Sequence, residues 1–207
     1  RDVDTRIVAD YCCEDVDITL QLKEVLEPQL TEYGVDRVFA FECGLVPVLV
    51  DMQHEGVRLD GRSLEEFSAE LDEEIEDYEN SIYEQAGMHF NIDSPKQIGQ
   101  VLFDILKLVK NPKKTKSGQY ATNEQVLQRL AGKHQIVRDI LEYRQMRKLK
   151  TTYVDMLPES IHGQTGRIHT TFNQAVVATG RMASVNPNLQ NIPIRTERGR
   201  EIRKAFV

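Results

Sequence analysis

The sequence predicts a mainly α protein with a small C-terminal β portion. An antiparallel helical arm comes first, and the beginning of a mixed α/β unit follows it. Three observations predict this. Apolar residues recur at three- and four-residue spacing through most of the chain as far as Leu157. Beyond Pro158 the period changes, and Arg167–Phe172 alternates apolar and polar as a strand does. Between the middle helices, residues 109–122 are polar, basic and glycine-containing, with no apolar period.

The elements follow in order. Glu14 to Glu32 reads as an amphipathic helix through Ile18, Leu22, Val25, Leu26 and Leu30, with Gly34 as its C-cap. A second helix spans Asp36 to His54, and Pro47 inside it is expected to kink or split it. Gly56 ends that helix, and Val57–Asp60 is a short extended link. Ser63 followed by Glu66 is a capping box that starts a long acidic helix to Gln85. Its apolar positions, Leu64, Phe67, Leu71, Ile75, Tyr78 and Ile82, form a narrow seam for one partner helix. Ser94–Pro95 starts the next helix with proline in the first turn. Asn123 caps a short helix to Ala131, and a long one then runs from His134 to Leu157 over Val137, Ile140, Leu141, Leu149 and Tyr153. Gln174–Ala178 is the expected hairpin or loop partner of the strand at 167–172. Those two strands present open edges unless something pairs them.

With 207 residues, 40% hydrophobic and 29% charged, the chain is long enough for one large or two small domains. It contains no apolar run of about 18 residues, so no membrane partner is expected. It starts at Arg1 without methionine and reads as an excised piece of something larger. Cys12, Cys13 and Cys43 have no CxxC or metal-ligand spacing. They read as small buried packing residues without a disulfide partner, in a reducing, cytoplasmic setting. The scattered histidines give no metal site.

The net charge of −7 is unevenly distributed. Acids dominate from Asp60 to Glu84, whereas Lys107 to Lys150 is basic, and the last stretch is basic again through Arg195, Arg198, Arg200, Arg203 and Lys204. Local sign decides where a polyanion sits, so the acidic helix is expected to face away from one. Lys113, Lys114 and Lys116 suit phosphate contact as well as they suit a mobile surface loop. Arg144, Arg147, Lys148 and Thr151 share one helical face, which composition alone reads as solvated.

The run TGRMASVNPNLQNIPIR, Thr179 to Arg195, is the most informative. Arg181 precedes a cluster of amides, Asn186, Asn188, Gln190 and Asn191. Pro187 and Pro193 bracket the cluster and are expected to hold it extended. Arginine and amides can donate to the minor-groove acceptors that every base pair offers. By composition alone the run reads as a capped surface loop of Asn and Pro.

In order and spacing this run closely resembles the start of the palm in family A DNA polymerases, the bacterial DNA polymerase I type. The preceding TGRIHTTFNQAVVATGR and the following GREIRKAFV resemble the same region. YCCEDVDITLQL resembles the last motif of the family's 3′→5′ exonuclease, KKTKSGQYATNEQVL the thumb tip, and YRQMRKLKTTY the thumb helix on the primer–template backbone. The resemblance implies the end of an exonuclease domain at 1–33, a helical thumb at 34–161 and the start of a palm at 162–207. It implies primer–template DNA as partner, with duplex contacts from Lys113, Lys114, Lys116, Arg144, Lys148, Arg181, Asn188, Gln190 and Asn191. Arg195 falls near the incoming nucleotide. Tyr11 and Asp15 fall on exonuclease positions, Asp15 as a metal ligand only together with carboxylates expected before Arg1.

The parent reaction so implied is template-directed nucleotidyl transfer in DNA replication and repair, using deoxynucleoside triphosphates and Mg²⁺. The family's catalytic aspartates are expected past Val207, so the fragment alone is expected to be inactive. Two other classes stay open on the residues themselves: a non-catalytic DNA-binding module that shares the thumb, and a helical scaffold with solvated charges.

Overall fold

Asp4 accepts a hydrogen bond from the Arg6 amide at 2.9 Å and thereby starts the first helix well ahead of its apolar pattern. In the computed structural model, which describes residues 3–207, that helix (α1) spans Thr5–Glu32. It stops where Gly34 adopts φ +66° and the Val35 amide returns to the Leu30 carbonyl at 2.9 Å. Helix α2 (Asp36–Glu55) continues through Pro47 as one element, so the expected alternative of a split does not occur. A single proline removes one backbone donor, and the turns on either side keep theirs.

These helices form one compact unit together with Gln174–Met182. Gln174 donates to the Glu42 carbonyl on α2 at 3.0 Å and ties that segment down. The unit has almost no core of its own, since α1 buries no residue and α2 buries only Leu49. That overturns the reading of the cysteines as buried packing residues. Cys12, Cys13 and Cys43 are all exposed thiols, because the helix faces that carry them are uncovered among the described residues.

The second unit comprises Gly56–Asn173 and Ala183–Val207. Strand β1 (Val57–Arg58) leads into helix α3 (Gly61–Ala86), whose cap is Asp60, not Ser63. The Asp60 carboxylate accepts from the Ser63 amide at 3.3 Å, so the helix begins a few residues before the expected capping box. Gly87, with φ +69°, ends it. Helix α4 (Pro95–Gln100) starts at Ser94 as expected and continues into a π-helical turn at Val101–Ile105. Helix α5 (Glu124–Ala131) is capped by Asn123.

Helix α6 (Gln135–Leu149) is shorter than the helix expected to reach Leu157. Lys150–Val154 forms a second π-helical turn, closed by the Asp155 amide on the Lys150 carbonyl at 3.0 Å, and α7 (Met156–Glu159) follows. Val154 and Leu157 are buried beyond this turn, and Lys150 at its start reaches Asp72 on α3.

The core lies between α3 and α6. Leu64, Phe67, Leu71, Ile75 and Ile82 on α3 meet Ile136, Val137, Ile140, Tyr143, Met146 and Leu149 on α6. The expected α3 seam is present, with Tyr78 at its edge. On α6 the periodicity missed Tyr143 and Met146, whereas Leu141 is only half-buried.

The strands are short. β2 (Ile161–His162) and β1 both pair antiparallel with β3 (Arg167–Ile168), Val57 and Ile161 each opposite Ile168. On its other edge the β1 segment meets the chain's last residues, with Leu59 bridging Phe206 and the Val207 amide on the Arg58 carbonyl at 3.2 Å. β4 (Thr171–Asn173) pairs antiparallel with β5 (Ala183–Val185) in a separate two-stranded ladder.

The expected strand at 167–172 is therefore two strands in two ladders, and β5 takes the place expected for Gln174–Ala178. The chain turns between them at Thr170. Its buried hydroxyl lies within hydrogen-bonding distance of Ser184 Oγ (2.7 Å), the Val185 carbonyl (3.0 Å) and the Pro187 carbonyl (2.8 Å). Helix α8 (Glu197–Lys204), capped by Thr196, completes the unit.

Candidate nucleic-acid interface

The basic loop of the second unit is a small folded hairpin. The Ala121 amide donates to the Lys113 carbonyl at 2.8 Å and the Thr115 amide to the Gln119 carbonyl at 2.7 Å, with Gly118 at φ +80° in the turn. Tyr120 anchors it. The Tyr120 ring lies against Phe103 at 5.2 Å, its hydroxyl donates to Asp104 at 2.5 Å, and its Cβ sits over the bare Cα of Gly99. The bond to Asp104, followed by burial, pushes the tyrosine pKa up. The Lys114 ammonium rests 5.2 Å from the Tyr120 ring centre. Lys113, Lys114 and Lys116 are exposed on this frame.

The basic face of α6 divides into three kinds of residue. Arg144 is half-buried and donates to the Thr122 carbonyl at 2.6 Å, which fastens the end of the hairpin to the helix. Its pKa is lowered by burial and partly restored by Asp93, yet guanidinium stays charged at any ordinary pH. Arg147 pairs with Asp93 at 3.4 Å, and the same carboxylate accepts from the buried Tyr143 hydroxyl at 3.2 Å. Burial works against the Arg147 charge, but Tyr143 and Asp93 outweigh it and raise its pKa. Lys148 is exposed and ion-paired to none of the described residues, so its charge remains for a ligand. Thr151 donates to the Arg147 carbonyl at 2.8 Å.

Lys148, Gln190, Asn191 and Arg195 all line one cleft of about 430 Å³. Four residues singled out in the sequence thus meet in one place. The amide strip is not extended, as the flanking prolines had suggested. The Asn186–Pro187 peptide is cis, Asn186 has φ +55°, and a tight turn follows. The Asn188 carboxamide oxygen closes that turn, accepting from the Gln190 amide at 3.1 Å and the Asn191 amide at 3.2 Å. The Asn188 oxygen thus shapes the turn, while its NH₂ and the exposed Gln190 and Asn191 side chains face outward. The Leu189 amide is pinned to Ser184 Oγ at 3.1 Å, and the Tyr153 hydroxyl donates to the Asn191 carbonyl at 2.6 Å. Sequence reasoning missed Tyr153 because a half-buried tyrosine on an apolar face looks like core.

Some charges counted as basic surface are engaged elsewhere. Arg198 pairs with Glu74 and, at 3.5 Å, with Glu70 on α3, its guanidinium 5.9 Å from the Phe67 ring centre. Lys204 pairs with Glu201 at 2.7 Å. The acidic helix therefore partly neutralises α8. Asp139 is buried on α6 and accepts from Ser81 (2.8 Å), Gln85 (2.6 Å) and Gln135 (2.6 Å). These neutral donors satisfy its oxygens, as a buried carboxylate requires.

Arg181 lies in the first unit, exposed and next to Gly180, which has φ +72°. Tyr11 and Asp15 lie one turn apart on α1, both exposed. Among the described residues no three His, Cys, Asp or Glu side chains come together in a way that suits a metal ion.

Within the second unit a basic helix and a turn of exposed amides thus share one cleft. The chain belongs to DNA polymerase family A, whose sequence profile matches residues 61–207. It is 50% identical to DNA polymerase I of Geobacillus stearothermophilus over 90% of this chain and 21% of that protein. DNA polymerase I of Synechocystis is 45% identical over 100% of this chain, and the thermostable DNA polymerase I of Thermus filiformis 46% over 90%. The chain spans about a fifth of the length of these relatives. Among solved structures it is similar to the polymerase domain of Pol1 from M. smegmatis in complex with DNA primer–template and dNTP. The TM-score is 0.81 and the identity 42%, covering 91% of this chain and 33% of that one.

Proposed function

We propose that this chain is the duplex-gripping part of a DNA-directed DNA polymerase of the polymerase I type. Residues 34–161 serve as thumb, 162–207 as the start of the palm and 1–33 as the end of a 3′→5′ exonuclease-like domain. One observation carries the reading: Lys148 shares a cleft with Gln190, Asn191 and Arg195. A lysine is suited to phosphate, and amides to groove acceptors common to all base pairs, so the site holds any sequence. The hairpin with Lys113, Lys114 and Lys116, seated by Arg144, extends the phosphate track along the same unit. Arg181 is assigned the minor groove at the primer terminus, and Arg195 a place near the incoming deoxynucleoside triphosphate.

The activity served is template-directed nucleotidyl transfer in DNA replication and repair. The residues described here do not fit the magnesium ions of that chemistry, because no suitable carboxylate cluster forms among them. Their work is to bind and orient. Asp15, exposed on α1, is at most one ligand of a set. No helix among the described residues is long and apolar enough to cross a membrane.

Salt dependence tests the proposal. In anisotropy titrations of a labelled primer–template hairpin, log affinity is expected to fall linearly with log salt, by roughly 0.9 per neutralised phosphate. Lys148→Ala is expected to weaken binding for every sequence and to reduce the slope by about 1. Weak binding that ignores salt would instead mark a helical scaffold.

A further inference from the structure

We propose that Tyr153 is a positioning residue that sets the depth of the amide turn and links the helix that grips phosphates to the turn that reads the groove. The inference rests on the duplex-binding reading above and adds to it a residue that sequence did not single out.

The turn is pinned at two points. The Leu189 amide on Ser184 Oγ (3.1 Å) holds its entrance, and the Tyr153 hydroxyl on the Asn191 carbonyl (2.6 Å) holds its exit. Asn188 closes the loop between them, so Gln190 stands at the apex. The two pins come from different layers. Ser184 belongs to β5, within the strand portion that carries the turn, whereas Tyr153 belongs to the π-helical turn that continues α6. Tyr153 is therefore the hydrogen bond between the basic helix and the groove-facing turn.

The π turn puts Tyr153 there. An extra residue in a helix rotates every later position by about 100°. The rotation is held at its start by Lys150, whose ammonium bonds Asp72 of α3 at 3.0 Å and Asp155 at 3.2 Å. Movement of α6 on a bound backbone thus reaches the Asn191 carbonyl through this one turn. A loss of the bond frees the exit of the amide turn, and Gln190 and Asn191 then lose their fixed height above the groove.

Tyr153→Phe removes the hydroxyl and leaves the half-buried ring packed on the core. The probe is a primer–template hairpin whose terminal pair carries either a purine or its 3-deaza analogue, which lacks the minor-groove N3 acceptor. With the wild-type chain the deaza substitution is expected to weaken binding about three- to tenfold, the scale of one lost hydrogen bond. With Tyr153→Phe that penalty is expected to shrink below about twofold, while the salt slope and melting temperature stay at wild-type values. An undiminished deaza penalty in the variant overturns the positioning role. So does a reduced salt slope or a lowered melting temperature, because the tyrosine would then act through phosphate grip or general stability. A wild-type chain indifferent to the deaza base overturns the groove reading itself, and this inference with it.

Discussion

Lys150 closes a basic run, yet it serves the core. Its side chain is only 13% exposed and bonds Asp72 at 3.0 Å and Asp155 at 3.2 Å, with Ser68 beside them. Burial lowers its pKa, but these bonds outweigh that and leave the net value above the ordinary 10.5. A group whose folded pKa is raised contributes stability in full below its unfolded pKa and loses it as pH rises through the folded one. The Lys150 contribution is therefore expected to be intact at neutral pH and to fade above pH 10.5. Lys150→Met is expected to cost about 1–3 kcal/mol, toward the lower end because both carboxylates are well exposed. Urea unfolding of the two proteins from neutral to alkaline pH checks both points, since their stability curves converge at high pH if the lysine acts this way. Arg147 and Arg198 teach the same lesson. A count of charges along a segment cannot tell a cation that is spent on Asp93 or Glu70 from one, like Lys148, that remains available.

Among the elements, those with an end signal and a full apolar period were legible. Helix α5 and its Asn123 cap, the Ser94–Pro95 start of α4 and the α3 seam all fall where the residues place them. The errors have physical causes. The π turn after α6 begins at Lys150, which is held to α3 by a tertiary contact that local periodicity does not show. Three buried hydroxyl contacts at Thr170 break one apparent strand into two. The amide turn owes its shape to Asn188 bonding its own backbone, a local competitor that residue order suggested less strongly than the flanking prolines did.

The hairpin at 113–121 depends on a pair that sequence reading passed over. Gly99 is buried, and a Cβ there would lie 2.7 Å from Tyr120 Cβ. Gly99→Ala must displace the tyrosine that carries the hairpin. It is expected to cost roughly 1–3 kcal/mol by overpacking, a loss seen as a lower urea midpoint. The same variant is expected to weaken primer–template binding through misplaced lysines. Unchanged stability would mean that Tyr120 is not the seat of the hairpin.

At the scale of the whole chain, the mainly α class and the change to strands after Pro158 were readable from periodicity alone, and the family from ordered motifs. Burial was not readable, because an amphipathic helix shows an apolar face whether or not anything covers it. The two units differ sharply here. The α3–α6 unit buries an extensive core, whereas α1 buries nothing and α2 buries only Leu49. Val16, Leu20, Leu22, Val38, Phe41 and Val48 are all exposed. Helix hydrogen bonds without a packed face are protected only by local helix–coil stability, whereas those in a shared core open with the domain. Amides of α1 are therefore expected to exchange at least ~100-fold faster than those around Tyr143 and Met146 in α6, given a domain stability of several kcal/mol. Hydrogen exchange followed by mass spectrometry, at several protein concentrations, resolves the two units directly. Slow exchange in α1 that disappears on dilution would show the apolar faces meeting between copies. Slow exchange at every dilution would mean that the first unit is stabilised by something other than buried apolar surface.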